Sequence, residues 1–400
     1  MGEWRESTWG DEISLEYGKG IRNYADANAP YRVYGSNGPV GWTSEPLAQG
    51  PGIILGRKGA YRGVRISKEP FFVIDTAYYV VPKSDLDIRW LYYAIIHHKL
   101  GEIDDGSPIP STTRSAVYVR ELSVPKKSEQ QAIASILSAL DDKIELNRQM
   151  NETLEAMARV VFKDWFVDFG PTRAKMEGRA PYLAPEIWSL FPDRLDDEGK
   201  PQGWRAGKLG DVAQQVGQTV SPETLDPNTP YIGLEHMPRR SIALSDWEGA
   251  GKVTSGKLAF EKRDLLFGKL RPYFHKVGIA PLDGICSTDI VVLNARQRSA
   301  AAFVLVCISQ DEFVAFTDRT SDGTKMPRTS WSRMERYGVY LPGDAALEAF
   351  NAIANPMLGR IVANIHESRT LAATRDLLLP KLMSGEIRVQ DAEKVLEAVA

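Results

Sequence analysis

The run IASILSALDDKIELNRQMNETLEAMARVV at residues 133–161 repeats an apolar or small residue at alternating steps of four and three. This period is typical of a helix that packs along a second helix as a coiled coil. The predicted seam positions are Ile133, Leu137, Leu140, Ile144, Asn147, Asn151, Leu154, Ala158 and Val161. At a rise of 1.5 Å per residue, a helix of roughly 38 residues is on the order of 57 Å long.

A second copy of this pattern follows later in the chain, because residues 106–168 align without a gap with residues 323–385. Its seam positions are Phe350, Ala354, Met357, Ile361, Asn364, Ser368, Leu371, Arg375 and Leu378. Pro356 predicts a kink or a restart of the second helix, since proline removes a backbone donor and crowds the preceding turn. A molecule of two similar halves is expected to have pseudo-twofold symmetry, which suits duplex DNA.

Asparagine occupies matching seam positions in the two copies, at Asn147 and Asn364. A polar seam residue costs stability but fixes the register and the partner of a helix. The alternative explanation is that both asparagines are exposed to solvent near a frayed layer. Recurrence at the same place in both copies favours control of register.

Short runs rich in Val, Ile, Tyr and Phe, bounded by Gly and Pro, precede each long helix and predict strands. The predicted fold class is therefore α+β, with two similar mixed α/β domains and two long helices. The predicted segments are a first domain at 1–127, a first helix at 128–168, a partly ordered linker at 169–202, a second domain at 203–342, a second helix at 343–385 and a tail at 386–400.

Composition narrows the class of protein. The formal net charge is -3, which argues against a protein that binds DNA by charge alone, so that any positive surface must be local. The 2 cysteines exclude a disulfide framework and a four-cysteine zinc site, and no apolar run approaches the ~20 residues of a membrane span. A cytoplasmic location is expected. No catalytic, metal or cofactor motif is evident, and none is predicted in this chain.

Two kinds of segment concentrate positive charge, and both recur in the two halves. Basic turns follow a predicted strand, and hydroxyl-rich loops precede the long helices. Such groups suit contacts with phosphates and base edges, although a solvated hairpin face and helix capping are the open alternatives. The predicted DNA-binding residues are Lys19, Arg57, Lys58, Tyr61, Arg62, Arg65, Ser111, Thr112, Thr113 and Arg114 in the first half, and Lys269, Arg271, Tyr273, His275, Lys276, Lys325, Arg328, Thr329 and Ser330 in the second.

Several stretches in this order resemble the specificity subunits of type I restriction–modification enzymes, over nearly the whole chain. They are Ile54–Gly59, Asp75–Tyr78, Ser128–Ala134, Trp165–Pro171, Cys286–Asp289 and Leu379–Gly385. The second copy departs from the family pattern, because Ala346-Leu347-Glu348 replaces the Glu-Gln-Gln signature.

The resemblance implies two target recognition domains, each of which reads one half of a bipartite DNA site. It also implies that the long helices pair antiparallel, fix the spacing of the half-sites and dock two methyltransferase (M) subunits. Restriction (R) subunits then join the complex, and S-adenosylmethionine, ATP and Mg belong to these partners. The chain itself is expected to be non-catalytic. The alternative is an interaction scaffold that does not bind DNA, whose binding to random duplex would lack a linear dependence of log affinity on log salt.

Overall fold

The computed structural model describes residues 4–104, 106 and 108–397. The chain forms two compact units: Met1–Lys143 together with Thr370–Ala400, called the N-terminal unit, and Ile144–Arg369, called the central unit. The predicted division placed each long helix in a segment of its own. In the structure, each long helix instead contributes residues to both units.

Within the described residues, the N-terminal unit contains three sheets. A four-stranded antiparallel sheet has the spatial order Ile13–Tyr17, Ala77–Pro82, Gly52–Gly56 and Val64–Ser67. A three-stranded sheet has the order Gly38–Thr43, Tyr31–Gly35 and Phe71–Val73, and its last two strands are parallel. The third sheet pairs Arg5–Thr8 with Glu121–Val124. The helical segments are Trp9–Glu12, Ile88–His97, Leu100–Glu102, Arg114–Tyr118 and Val389–Glu397.

The central unit repeats this arrangement. Its four-stranded antiparallel sheet has the order Ala213–Val216, Ile290–Ala295, Leu265–Gly268 and Val277–Ile279. A five-stranded sheet has the order Thr219–Val220, Lys257–Phe260, Gly284–Cys286, Pro230–Ile232 and Glu248–Gly249, and again contains one parallel pair. Arg205–Lys208 pairs with Gly338–Leu341. The predicted duplication of mixed α/β folds is therefore evident in the topology of each unit.

The central unit also contains short helices. They are Gly170–Met176, Pro185–Trp188, Leu209–Val212, Ala301–Ile308, Asp311–Arg319 and Trp331–Met334, with short 3-10 turns at Pro222–Thr224, Leu234–His236, Ala250–Lys252, Pro272–Phe274 and Arg298–Ala300. No single helix among the described residues combines the length and the apolar character needed to cross a membrane. One bent pair, 298–308 with 311–319, meets both criteria only when its helices are taken together.

The segment 169–202 is more ordered than the sequence predicts. Its proline, glycine and charged residues predicted a linker, but Phe169 and Phe191 are buried in the core of the central unit. Phe191 packs edge-on against Trp165 at a centroid distance of 5.0 Å, and Phe169 packs against Trp204 at 5.7 Å. Burial of an aromatic side chain stabilises a fold by about 1.5–3 kcal/mol, which favours an ordered segment.

The first long helix spans Lys127–Phe162 and ends in a π-helical turn at Lys163–Val167, and the second spans Asp344–Met383. They contain 36 and 40 residues, which corresponds to about 54 and 60 Å. The predicted restart at Pro356 is wrong, because the second helix is continuous through that residue. Pro356 is exposed, and apolar neighbours such as Ala354 and Leu358 bury the opposite face and hold the helix together.

The predicted seam residues are buried or half-buried along both helices. In the N-terminal unit, Leu137 and Leu140 of the first helix share a core with Leu378 of the second. In the central unit, the amide of Asn147 donates to Glu367 Oε2 at 2.9 Å and to Ser368 Oγ at 3.3 Å.

A second amide contact fixes the direction of the pair in the central unit. Asn364 Nδ2 donates to Asn151 Oδ1 at 2.8 Å. Since residue numbers rise on one helix as they fall on the other, the two helices run antiparallel there. Asn147 and Asn364 are both 0% exposed, which overturns the explanation that they lie in a frayed, solvated layer.

Replacing Pro356 with alanine tests why the helix continues. Alanine restores the missing N–H and removes the contact of the ring with the preceding turn, so we expect a gain of about 1–3 kcal/mol in local stability. Hydrogen exchange of peptides that cover residues 352–362 measures this gain as slower exchange. Gly359→Ala in the same helix is the calibration, with an expected gain of about 1 kcal/mol. Unchanged exchange in Pro356→Ala alone would contradict the explanation.

Candidate nucleic-acid interface

Backbone hydrogen bonds join the two predicted surfaces of the N-terminal unit. The N–H of Arg57, just after strand Gly52–Gly56, donates to Thr76 O at 3.0 Å. The carbonyl of Arg57 accepts from the N–H of Thr112 at 2.9 Å, and Gly59 N–H donates to Pro110 O at 3.0 Å. The basic turn and the hydroxyl-rich loop are therefore one structure, here called the loop platform and defined as residues 57–63 with 109–114.

The central unit has the same platform, formed by residues 269–276 with 325–330. Lys269 N–H donates to Asp289 O at 2.9 Å, and the carbonyl of Lys269 accepts from Thr329 N–H at 3.0 Å. Arg271 N–H donates to Pro327 O at 2.7 Å. These three bonds correspond one for one with those of the N-terminal unit. The two turns thus occupy equivalent places in the repeated fold.

Both platforms present tyrosine and cationic side chains to solvent. Tyr61 is 80% exposed, and Tyr273, at the equivalent position, is 48% exposed. Lys58 and Lys325 are also exposed. Large exposed aromatic side chains cost solvation free energy, so that exposed tyrosines next to lysines and arginines are characteristic of surfaces that bind a ligand.

Tyr17 packs against the first platform, although it is not among the binding residues predicted from the sequence. Its ring is 47% exposed and lies against two guanidinium groups. The Arg114 Cζ is 4.2 Å from the ring centroid, and the Arg57 Cζ is 5.1 Å from it. Tyr78, the strand neighbour of Tyr17, lies 5.0 Å away, and burial raises the pKa of its phenol to about 12. A search for arginines near an aromatic strand end could have found this cluster.

The structure removes Thr112, Thr329 and His275 from the predicted contact surface, because their side chains are no more than 2% exposed. Thr112 Oγ1 donates to Ile103 O at 3.1 Å. His275 Nε2 lies 2.9 Å from Ser309 O, and burial lowers the pKa of its imidazole. These buried side chains stabilise the loops. Their residue types alone did not indicate that they are buried.

Other cationic side chains predicted to bind DNA form hydrogen bonds or ion pairs within the protein. Arg62 Nε donates to Gly101 O at 2.9 Å. Lys276 Nζ donates to Leu234 O, and burial lowers the pKa of this ammonium group. Arg328 forms an ion pair with Asp289 at 2.9 Å. These groups are less available to a ligand than their number in the sequence suggests.

The remaining predicted residues lie near the platforms. Lys19 and Arg65 are exposed, and the N–H of Lys19 donates to Val73 O at 2.9 Å. Thr113 caps the helix Arg114–Tyr118, since its hydroxyl accepts from Ala116 N–H at 3.3 Å, so the capping alternative holds for this residue. Half-buried Ser111, Ser330 and Arg271 complete the set.

One group of side chains in the described ranges offers possible metal ligands. Ligand atoms of Glu235, His236 and Glu248 lie within 4.8 Å of one another, and both glutamates are exposed. His236 Nδ1 accepts from Gly233 N–H at 2.9 Å, which occupies that lone pair. The group lies outside both platforms.

The sequence is similar to those of known proteins. Residues 22–156 match the family described as Type I restriction modification DNA specificity domain. The MjaIX specificity subunit of Methanocaldococcus jannaschii is 27% identical, with 96% of this chain and 88% of that protein aligned. The HindI specificity subunit of Haemophilus influenzae is 24% identical over 79% of this chain and 81% of that protein. Over residues 22–156 the chain thus matches this domain family, and over nearly its whole length it is similar to type I specificity subunits.

A solved structure supports the fold independently. The S subunit of a type I restriction–modification system from M. genitalium superposes with a TM-score of 0.55, covering 95% of this chain and 96% of that chain at 17% identity. The predicted α+β class is consistent with that likeness. The matching domain is described as a DNA specificity domain, and its range, residues 22–156, includes both segments of the first loop platform.

Asp289→Asn tests whether the ion pair with Arg328 restrains the second platform. Loss of the carboxylate frees the guanidinium for a phosphate, so the salt slope for binding to a random-sequence duplex should steepen by about 0.9. Affinity at low salt should rise several-fold. Fluorescence anisotropy of the full chain across a salt series measures both. Asp283→Asn, an exposed carboxylate whose neighbour is the backbone N–H of Lys262, is the matched control. Equal slopes in the two variants would contradict this role.

Proposed function

We propose that this specificity subunit reads a bipartite DNA site, with each loop platform contacting one half-site. The observation that carries the proposal is the repeated platform itself. The same three backbone hydrogen bonds hold a turn with an exposed tyrosine in each unit. Arginine, lysine and hydroxyl side chains on these turns suit contacts with phosphates and base edges.

We further propose that the two long helices form an antiparallel coiled coil that sets the spacing between the half-sites. Each helix has residues in both units, and the asparagine contacts of the central unit support an antiparallel pairing of fixed register. Two linked readers gain affinity only when the spacing of the sites matches that of the readers. The gap between half-sites would then be a property of the helices.

A matched insertion in both helices tests this spacing. Duplicating residues 148–154 together with residues 361–367 adds one heptad to each helix and preserves the seam. Seven residues lengthen each helix by about 10 Å, which corresponds to roughly three base pairs of duplex at 3.4 Å each. Long-read sequencing of DNA methylated by the complex should show a longer gap with both half-sequences unchanged.

The matched control inserts the heptad in the first helix only. That insertion breaks the register, and we expect methylation to be lost. An unchanged gap with the double insertion, or altered half-sequences, would contradict the spacer role of the helices.

An uncharged stripe on the first helix is a candidate docking surface for a methyltransferase subunit. Leu146, Met157 and Val160 are 50%, 48% and 67% exposed. At 100° per residue these positions lie on one helix face, together with the exposed Gln149 and Thr153. Exposed apolar side chains in a contiguous patch mark protein–protein contacts.

Replacing Met157 and Val160 with glutamate tests the docking surface. Burying two carboxylates at an interface without partners should reduce co-purification with the tagged methyltransferase subunit by at least about tenfold, the equivalent of 1.4 kcal/mol. The volume-conserving double variant Met157→Leu and Val160→Ile should retain binding. Normal co-purification of the glutamate variant, with an unchanged circular dichroism spectrum, would exclude this face.

The proposal assigns catalysis to the partners. S-adenosylmethionine would bind to the methyltransferase subunits, and ATP and Mg would act with the restriction subunits. The residues of the two platforms would bind and orient the duplex. Methylation by the purified chain alone, with S-adenosylmethionine added, would overturn this division of labour.

A further inference from the structure

The stack of Arg57, Tyr17 and Arg114 distinguishes the two platforms. Strand register places Gly217 at the position of Tyr17, since Ile13 pairs with Pro82 as Ala213 pairs with Ala295. The platform hydrogen bonds place Lys269 at the position of Arg57. Trp331, the first residue of its short helix, corresponds to Arg114. The backbone positions that carry this stack in the N-terminal unit lack it in the central unit, where a different ring, Phe274, lies 4.1 Å from Arg239 Cζ and 6.0 Å from Arg271 Cζ.

The stack restricts both guanidinium groups. An arginine that lies over an aromatic face keeps a fixed plane, and less rotamer entropy is lost when it binds. The Nε atoms of Arg57 and Arg114 are buried without a hydrogen-bond partner, so the terminal NH groups are those left for a ligand. Glu16 touches Arg114 at 3.5 Å, which is long for an ion pair. Among the described residues, Arg57 makes no ion pair with a carboxylate.

A planar, bidentate donor matches one base edge in particular. Guanine presents O6 and N7 as two acceptors in the major groove, and arginine is the side chain that most often contacts both. Lys269, at the position of Arg57 in the central unit, carries the same charge but lacks the planar pair of N–H donors of a guanidinium group. The two units consequently offer different chemistry to their half-sites.

We propose that Tyr17 is a positioning residue that holds Arg57 and Arg114 for contact with guanine in the half-site of the N-terminal unit. This inference rests on the proposed bipartite recognition. It names the base that one half-site contains, and it concerns the N-terminal unit alone, because the arginines over Phe274 occupy other positions of the repeated fold.

The test maps methylated bases in a methylation-deficient bacterial host that expresses the chain with its methyltransferase subunit. The wild-type motif should contain guanine in one half-site. Tyr17→Leu should raise methylation at sites with another base at that guanine position by about tenfold relative to correct sites, while the other half-site stays strict. Arg57→Lys, which keeps the charge, should do the same, and Tyr17→Phe, which keeps the ring, should preserve the wild-type motif. Tyr182→Leu replaces a tyrosine that is 49% exposed in the central unit and is the matched control.

The outcomes separate the two proposals. A wild-type motif that is not bipartite defeats the proposed function and this inference with it. A bipartite motif that Tyr17→Leu and Arg57→Lys leave equally strict overturns only the inference. A uniform loss of methylation at every site also overturns it, because the arginines would then contact phosphate. Relaxation at a position other than guanine would also overturn the inference, because the stacked arginines would then not contact guanine.

Discussion

The register of the two long helices depends on a buried layer of amides. Asn147 and Asn364 are fully enclosed, and their Nδ2 groups donate to Glu367, Ser368 and Asn151, while both Oδ1 atoms are buried without a hydrogen-bond partner. A shift of one residue would remove the acceptors of these Nδ2 donors, at a cost of about 1–3 kcal/mol for each donor left unsatisfied. Leucine at both positions would pack in several registers. The asparagines therefore exchange some stability for a single alignment, and the core of the central unit is built on that alignment.

Backbone hydrogen bonds stabilise the loop platforms, whereas side-chain contacts determine the register of the helices. The bonds from Arg57 to Thr76 and Thr112, and their counterparts at Lys269, use only N–H and C=O groups. Such bonds persist whatever side chain the residue carries. Side chains on the turns can then differ between the units, as they do at Tyr17 and Gly217, without displacing the loops. Under the proposed function, such a frame would let the two units contact different half-sites with the same backbone.

The sequence predicted the features that local periodicity determines, which are the long helices and the repeated fold. It did not predict features that depend on contacts between distant segments, such as which loop residues are buried. The four–three repeat located both helices, and the internal repeat predicted two similar folds. Pro356 did not end its helix, because packing on the opposite face outweighs the loss of one hydrogen bond. His275 looked like a contact and is buried, while Tyr17 was overlooked. Both errors have one cause: exposure of a loop residue depends on segments far away in the chain.

A net charge of -3 is compatible with DNA recognition when a few cations occupy specific positions, so that no large excess of positive charge is needed. Several cations of the platforms are held by carbonyls or by Asp289, which lowers their contribution to non-specific attraction. Counterion release scales with the number of phosphates neutralised, so a sparse set of free cations keeps random binding weak. Stacked arginines add directional contacts without raising this background. Under the proposed function, such a surface would gain discrimination from geometry, and partner subunits would supply the greater part of the binding free energy.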